Sequence, residues 1–166
     1  MQRRTILAIL AAAPLFGARV RAAAPAKEID VKSPQTDWKA LTDAEWRTRL
    51  TPAQYDVLRR EGTEAAGSSP LNAEKRPGTY VCAGCGLALF GSEMKYESGT
   101  GWPSFFTHLP DAFQTKRDFR LIWPRTEYHC ARCGGHHGHV FDDGPQPTGQ
   151  RWCNNGVALA FLPKAP

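Results

Sequence analysis

The sequence predicts a small antiparallel β domain that opens with two short helices and carries a four-cysteine clip. Three observations predict it: two helix-start signals between residues 42 and 54, a change after Gly78 to short β-type runs broken by Gly, Pro and Asp, and two Cys-x-x-Cys knuckles. With 166 residues, 42% hydrophobic and 22% charged, the chain has the composition of one compact domain, which excludes a disordered polymer, a repeat array and a multi-pass membrane protein. Two features set the questions. The net charge of +5, with a pI near 9.1, invites a nucleic-acid reading. Five cysteines is an odd number, so pairing cannot account for all of them.

Residues 1–22 have the layout of a secretory signal. Arg3 and Arg4 precede an apolar run from Ile6 to Phe16 that is too short to anchor in a membrane, and Val20 and Ala22 satisfy the small-x-small cleavage rule. The paired arginines fit a twin-arginine signal, a route that moves folded proteins. Removing this segment takes Arg3, Arg4, Arg19 and Arg21 with it. Lys plus Arg then falls from 21 to 17 against 16 acids, a net +1, and the case for nucleic acid loses its support. The expected protein is exported, to a bacterial periplasm, with no stable membrane anchor.

Residues 23–37, rich in Ala, Pro and Lys, read as a linker to a domain over 38–164. Thr42-Asp43-Ala44-Glu45 and Thr51-Pro52-Ala53-Gln54 are capping boxes, the second with proline in the first turn, where its missing N–H costs nothing. Gly62 ends the second helix, and Trp46, Leu50, Tyr55 and Leu58 form the buried face. Strands are expected at 79–82, 87–90, 119–123, 126–130, 139–141 and 157–161.

Cys82-Ala83-Gly84-Cys85 and Cys130-Ala131-Arg132-Cys133 are separated by 44 residues. A two-residue spacer flanked by glycine lets a tight turn aim both sulfurs at one tetrahedral ion, so the favoured reading is a structural zinc bound by Cys82, Cys85, Cys130 and Cys133. Two disulfides and a dithiol redox centre are the competing readings.

The fifth cysteine, Cys153, stands apart from either knuckle. Arg151 lies two residues before it, on the same face of a strand, and a guanidinium beside a thiol favours the reactive thiolate. Ahead of it, His136, His137 and His139 lie between a knuckle and Asp143. One of the three is a candidate general acid, with Asp143 to orient or charge it. Upstream, Trp102 and Phe105 sit on a constrained loop, either as core residues or as an aromatic wall for a small apolar group.

Taken in order, these motifs resemble the peptide-methionine (R)-S-oxide reductase family. The resemblance is carried by Cys82-x-x-Cys85, Gly101-Trp102-Pro103-Ser104-Phe105, Cys130-x-x-Cys133, His136-x-Gly138-His139-Val140-Phe141, Asp143-Gly144-Pro145, Pro147-Thr148-Gly149 and Arg151-Trp152-Cys153-Asn154-Asn155. It implies two antiparallel sheets with short N-terminal helices, one structural zinc, and Cys153 as nucleophile toward methionine-R-sulfoxide in oxidised proteins or peptides. It places Trp102 at the substrate methyl and completes the site with His136, His139, Asp143, Arg151 and Asn155. His139 is the first choice of acid, although the sequence does not rank it against His136. Two departures stand out. Thr100 occupies the position where many relatives carry a resolving cysteine, so a thioredoxin-like or other external thiol is the expected reductant. Gly156 replaces a frequent serine, which leaves the hydrogen bonding after Asn155 open. The rival reading is a non-catalytic zinc-clipped β module that binds a ligand or protein.

Overall fold

The computed structural model describes residues 36–119 and 124–165; the expected signal and all but the end of the expected linker lie outside them. Helices α1 (Asp43–Arg49) and α2 (Pro52–Arg60) both begin with reciprocal capping boxes, Thr42 with Glu45 and Thr51 with Gln54. These are local bonds between neighbours in sequence, which is why the sequence shows them. Helix α2 ends with Glu61, rather than Gly62, in the left-handed conformation at φ 58°. Trp46, Leu50, Tyr55 and Leu58 are buried as expected, and Val57 joins them. Among the described residues no helix is long and apolar enough to cross a membrane.

Among the described residues nine strands follow: β1 (Gly78–Cys82), β2 (Ala88–Gly91), β3 (Lys95–Tyr96), β4 (Ser104–Phe105), β5 (Phe113–Asp118), β6 (Arg125–Cys130), β7 (His136–Phe141), β8 (Arg151–Asn154) and β9 (Leu159–Pro163). They form a three-stranded sheet, β2-β1-β9, and a six-stranded sheet, β3-β4-β8-β7-β6-β5, with every pairing antiparallel. Five of the six expected strands are present with shifted ends. The expected strand at 119–123 lies outside the described residues except for Phe119, which is 73% exposed and follows the end of an unexpected strand, Phe113–Asp118.

The two sheets meet over aromatic rings. Phe90 stacks on Phe105 at 3.8 Å and 7°, and Tyr80 meets Phe105 edge-on at 5.0 Å. Phe113, Tyr128 and Trp152 continue the cluster on the inner face of the larger sheet. Because side chains alternate along a strand, the residues between these point outward, and the outer face carries the polar chemistry.

The helices cover the cysteine clip. Leu58 lies against Gly135, and Arg59 Nη1 donates to the Cys133 carbonyl at 3.0 Å. Each knuckle closes on a glycine in the left-handed region, Gly86 at φ 71° and Gly134 at φ 70°, whose amides bond back to Cys82 and Cys130. A side chain there would strain the turn that aims the sulfurs inward.

Candidate active site

All four clip cysteines are buried and free of disulfides. Their sulfurs lie within 4.8 Å of one another, with Cys82 to Cys133 at 3.7 Å and Cys85 to Cys130 at 3.5 Å. A tetrahedral ion held by thiolates at about 2.3 Å places neighbouring sulfurs about 3.8 Å apart. The two measured separations approach that edge length and are far too long for S–S bonds, so the residues fit a four-coordinate metal site.

Cys153 faces away from the clip. One cross-strand row runs along the outer face of the larger sheet: Tyr96, Ser104, Cys153, His139, Glu127 and Lys116. Cys153 therefore has Ser104 on one side and His139 on the other, at the short range of directly opposed residues. It is partly exposed and opens on a pocket of about 130 Å³, mostly apolar in lining, that takes the end of one side chain. Thr63, Trp102, Arg125, His139 and Phe141 line it, with Asn154 and Asn155 behind.

Burial pushes the Cys153 thiol up. The Arg151 guanidinium and Thr100 hydroxyl both pull the other way without offsetting it. Arg151 thus acts in the expected direction, but burial is the larger influence on Cys153. Arg151 is itself fixed by Asp143 through two bonds, Nε–Oδ1 at 2.7 Å and Nη2–Oδ2 at 2.9 Å, and its guanidinium lies 4.3 Å over the Phe141 ring. Replacing Arg151 with Gln removes one of the forces favouring the thiolate. The expected result is slower alkylation of Cys153 by iodoacetamide at neutral pH, with the inflection of rate against pH moved upward.

The structure separates the two candidate histidines. On a regular strand His136 and His139, three apart, would face opposite ways. An irregularity in the β6–β7 register pairs His129 with His136 and Glu127 with His139, which puts both rings on the outer face 5.4 Å apart. His139 reaches the pocket. His136 lies behind it, 1% exposed, with Nδ1 3.3 Å from Glu127, and burial pushes its pKa down to about 3.

Phe105 is a correction. It neighbours Ser104 in sequence, so it points inward; it is 0% exposed and stacked in the core, where no substrate reaches it. Trp102 does line the pocket, held by an Nε1 bond to the Glu64 carbonyl at 3.1 Å. Asn155 lines it too, but its amide serves the framework: Oδ1 accepts from the Glu64 amide at 3.0 Å and Nδ2 donates to the His137 carbonyl at 2.9 Å. The Glu64 carboxylate in turn accepts from the Gly156 and Val157 amides. At Gly156 a Cβ would fall 1.9 Å from Ser69 Oγ, so Ser69 fills the space a serine side chain would need. Glu64, Asp118 and Arg125 escape a sequence reading because each acts through residues distant in the chain.

Ser98 links the hydroxyls of Thr100 and Ser104. Ser98 Oγ lies 2.8 Å from both Thr100 Oγ1 and Ser104 Oγ. Gly101, at φ 90°, lets the loop pass Ala66 and Gly67 at distances a Cβ would violate, and this holds Thr100 toward Cys153.

A partly exposed cysteine opposed by an imidazole, with a guanidinium close by and set apart from a metal-type clip, suits a thiol-based oxidoreductase. The SelR domain family matches residues 50–163. The chain belongs to that family, the peptide methionine sulfoxide reductase B family. It is 50% identical over 121 residues to "Peptide methionine sulfoxide reductase MsrB" of Leptospira interrogans, covering 72% of this chain and 92% of that one. It is 47% identical over 137 residues to the protein of the same name from Bradyrhizobium diazoefficiens, covering 81% and 99%. It is 46% identical over 126 residues to "Peptide methionine sulfoxide reductase B1, chloroplastic" of Arabidopsis thaliana, covering 75% and 62%. Among solved structures it is similar to the Mis18 "Yippee-like" domain at 15% identity and a TM-score of 0.44, covering 55% of this chain and 100% of that one.

Proposed function

We propose that the protein reduces methionine-R-sulfoxide residues in proteins to methionine, with Cys153 as the nucleophile. The observation that carries this is the direct opposition of Cys153 and His139 at the wall of a small apolar pocket that also holds Trp102. A sulfoxide sulfur becomes electrophilic when its oxygen is protonated or strongly hydrogen-bonded. The Cys153 sulfur attacks it, and His139 delivers a proton to the oxygen. The sulfur–oxygen bond of the substrate breaks and the oxygen ends on Cys153. A thiol and a sulfoxide become a sulfenic acid and a thioether, and two electrons pass from the cysteine to the substrate sulfur. Trp102 holds the substrate methyl, and Arg151, fixed by Asp143, favours the thiolate as it forms. A binding module has no use for such a sulfur. Turnover of the two separated sulfoxide epimers with dithiothreitol tests the assignment: the R epimer is consumed, and consumption of the S epimer alone would overturn it.

An external thiol regenerates the enzyme. Attack on the sulfenic acid releases water and leaves a mixed disulfide, which a second thiol reduces. The fit of four cysteines to a metal, with Thr100 beside the fifth, supports this route. Protein oxidised with one equivalent of substrate is expected to gain the mass of one oxygen; an intramolecular disulfide in its mass spectrum would contradict the scheme.

The clip takes zinc in this reading, since four buried thiolates in a closed set suit a structural zinc that supplies cross-linking and no chemistry. The signal-like residues 1–22 support export to the periplasm, where oxidised proteins are the substrates and a thioredoxin-like protein is the reductant.

A further inference from the structure

We propose that Asp118, held by Arg125, is a positioning residue that fixes the tautomer of His139, so that Nδ1 is the nitrogen that exchanges protons in the pocket. The inference rests on the reading of His139 as the proton donor to the sulfoxide oxygen.

Asp118 and Arg125 are the last opposed pair of the β5–β6 hairpin, on the outer face with Glu127. Asp118 Oδ2 lies 3.0 Å from His139 Nε2 and 2.6 Å from Arg125 Nη2. The Asp118 side chain is 4% exposed, and a carboxylate so buried stays ionised only when its charge is paired, which Arg125 provides. An ionised carboxylate accepts and cannot donate, so Nε2 must carry the hydrogen of the bond. In the neutral ring Nδ1 is then the free base. It takes the proton of the Cys153 thiol, and the imidazolium returns that proton to the sulfoxide oxygen. The one proton passes from the thiol through Nδ1 to the substrate oxygen, which ends as the hydroxyl of the sulfenic acid, so this step needs no other proton.

The charged and titratable groups facing His139 act in both directions. Burial lowers its pKa most, Asp118 raises it, Arg125 lowers it, and Glu127 raises it from the next position along β6. His136 and Cys153 are its neighbours on β7 and β8, and Lys116 pairs with Glu127 from β5. Asp118 and Arg125 therefore oppose each other at His139 while holding one another in place.

The direct test is the long-range ¹⁵N–¹H NMR spectrum of His139 in the native protein near pH 7.5, which needs no variant. The Nε2–H tautomer is expected, and the Nδ1–H tautomer would overturn the proposal. Asp118→Asn removes the forced acceptor, because a carboxamide can also donate. A fall in kcat of about 10²-fold is expected, at the low end of what general acid–base catalysis contributes, with KM little changed. Losing a group that raises the His139 pKa also moves the acid limb of the pH–rate profile, where His139 must lose its proton to act as the base, to lower pH. An unchanged kcat and profile in Asp118→Asn would overturn the proposal on its own. Full activity in His139→Asn would instead overturn the functional reading beneath it.

Discussion

Cys153→Ser removes turnover of methionine-R-sulfoxide by more than about 10³-fold, the scale expected when an enzyme loses its nucleophile, while metal content and thermal midpoint stay at native values. A serine oxygen cannot take up the oxygen of a sulfoxide as sulfur does, and its hydroxyl does not ionise near neutral pH. The substitution nearly conserves volume at a partly exposed position on an outer face, so the core is untouched. No other sulfur can take over: the clip cysteines are buried and clustered within the metal-type site. The measurement is epimer-resolved turnover with dithiothreitol alongside a thiol titration, which should fall from one reactive thiol to none under native conditions. Activity surviving the substitution would remove Cys153 from the chemistry.

That prediction rests on features the sequence already displayed, because they are local. The capping boxes bond residues three apart, the knuckles span four residues, and Arg151 and Cys153 share a face by strand alternation. The same alternation settles Phe105, which the sequence alone sets on a loop. Its neighbour Ser104 opposes Cys153, so Phe105 must point to the core. Strand β5 was invisible for a different reason. It is a sheet edge reading Phe-Gln-Thr-Lys-Arg-Asp, exposed over most of its length, and charged edges of this kind carry no hydrophobic period. Strands β3 and β4 are two residues each, too short to leave a pattern. The choice between His136 and His139 depends on one register irregularity in β6–β7, which no spacing rule anticipates. Asp118, 21 residues from His139, and Glu64, 91 from Asn155, become partners only when the sheet is assembled.

Loss of the clip is expected to unfold the domain, an effect on activity as complete as loss of Cys153 but by a different route. The clip joins the β1–β2 turn to the β6–β7 turn, one from each sheet, and both helices rest on it through Trp46, Leu58 and Arg59. A structural metal contributes about 10–16 kcal/mol of apparent binding energy in small zinc modules, whereas a whole domain is stable by about 5–15 kcal/mol. Removing the ion therefore takes away an amount comparable with the entire margin, and it leaves four thiols packed against one another in the core. Cys130→Ala, or prolonged chelation under denaturing pre-treatment, should abolish the cooperative thermal transition and the near-ultraviolet signal of the Phe90–Phe105–Trp152 cluster. The bound metal, zinc by our proposal, should fall from one per chain to none by elemental analysis. Turnover should disappear although Cys153 is intact and, in the unfolded chain, more exposed to alkylation. The contrast with Cys153→Ser is diagnostic: there the fold persists without chemistry, and here the reactive thiol persists without a fold. A metal-free protein that melts cooperatively at the native temperature would show that the sulfur cluster is an ordinary part of the core.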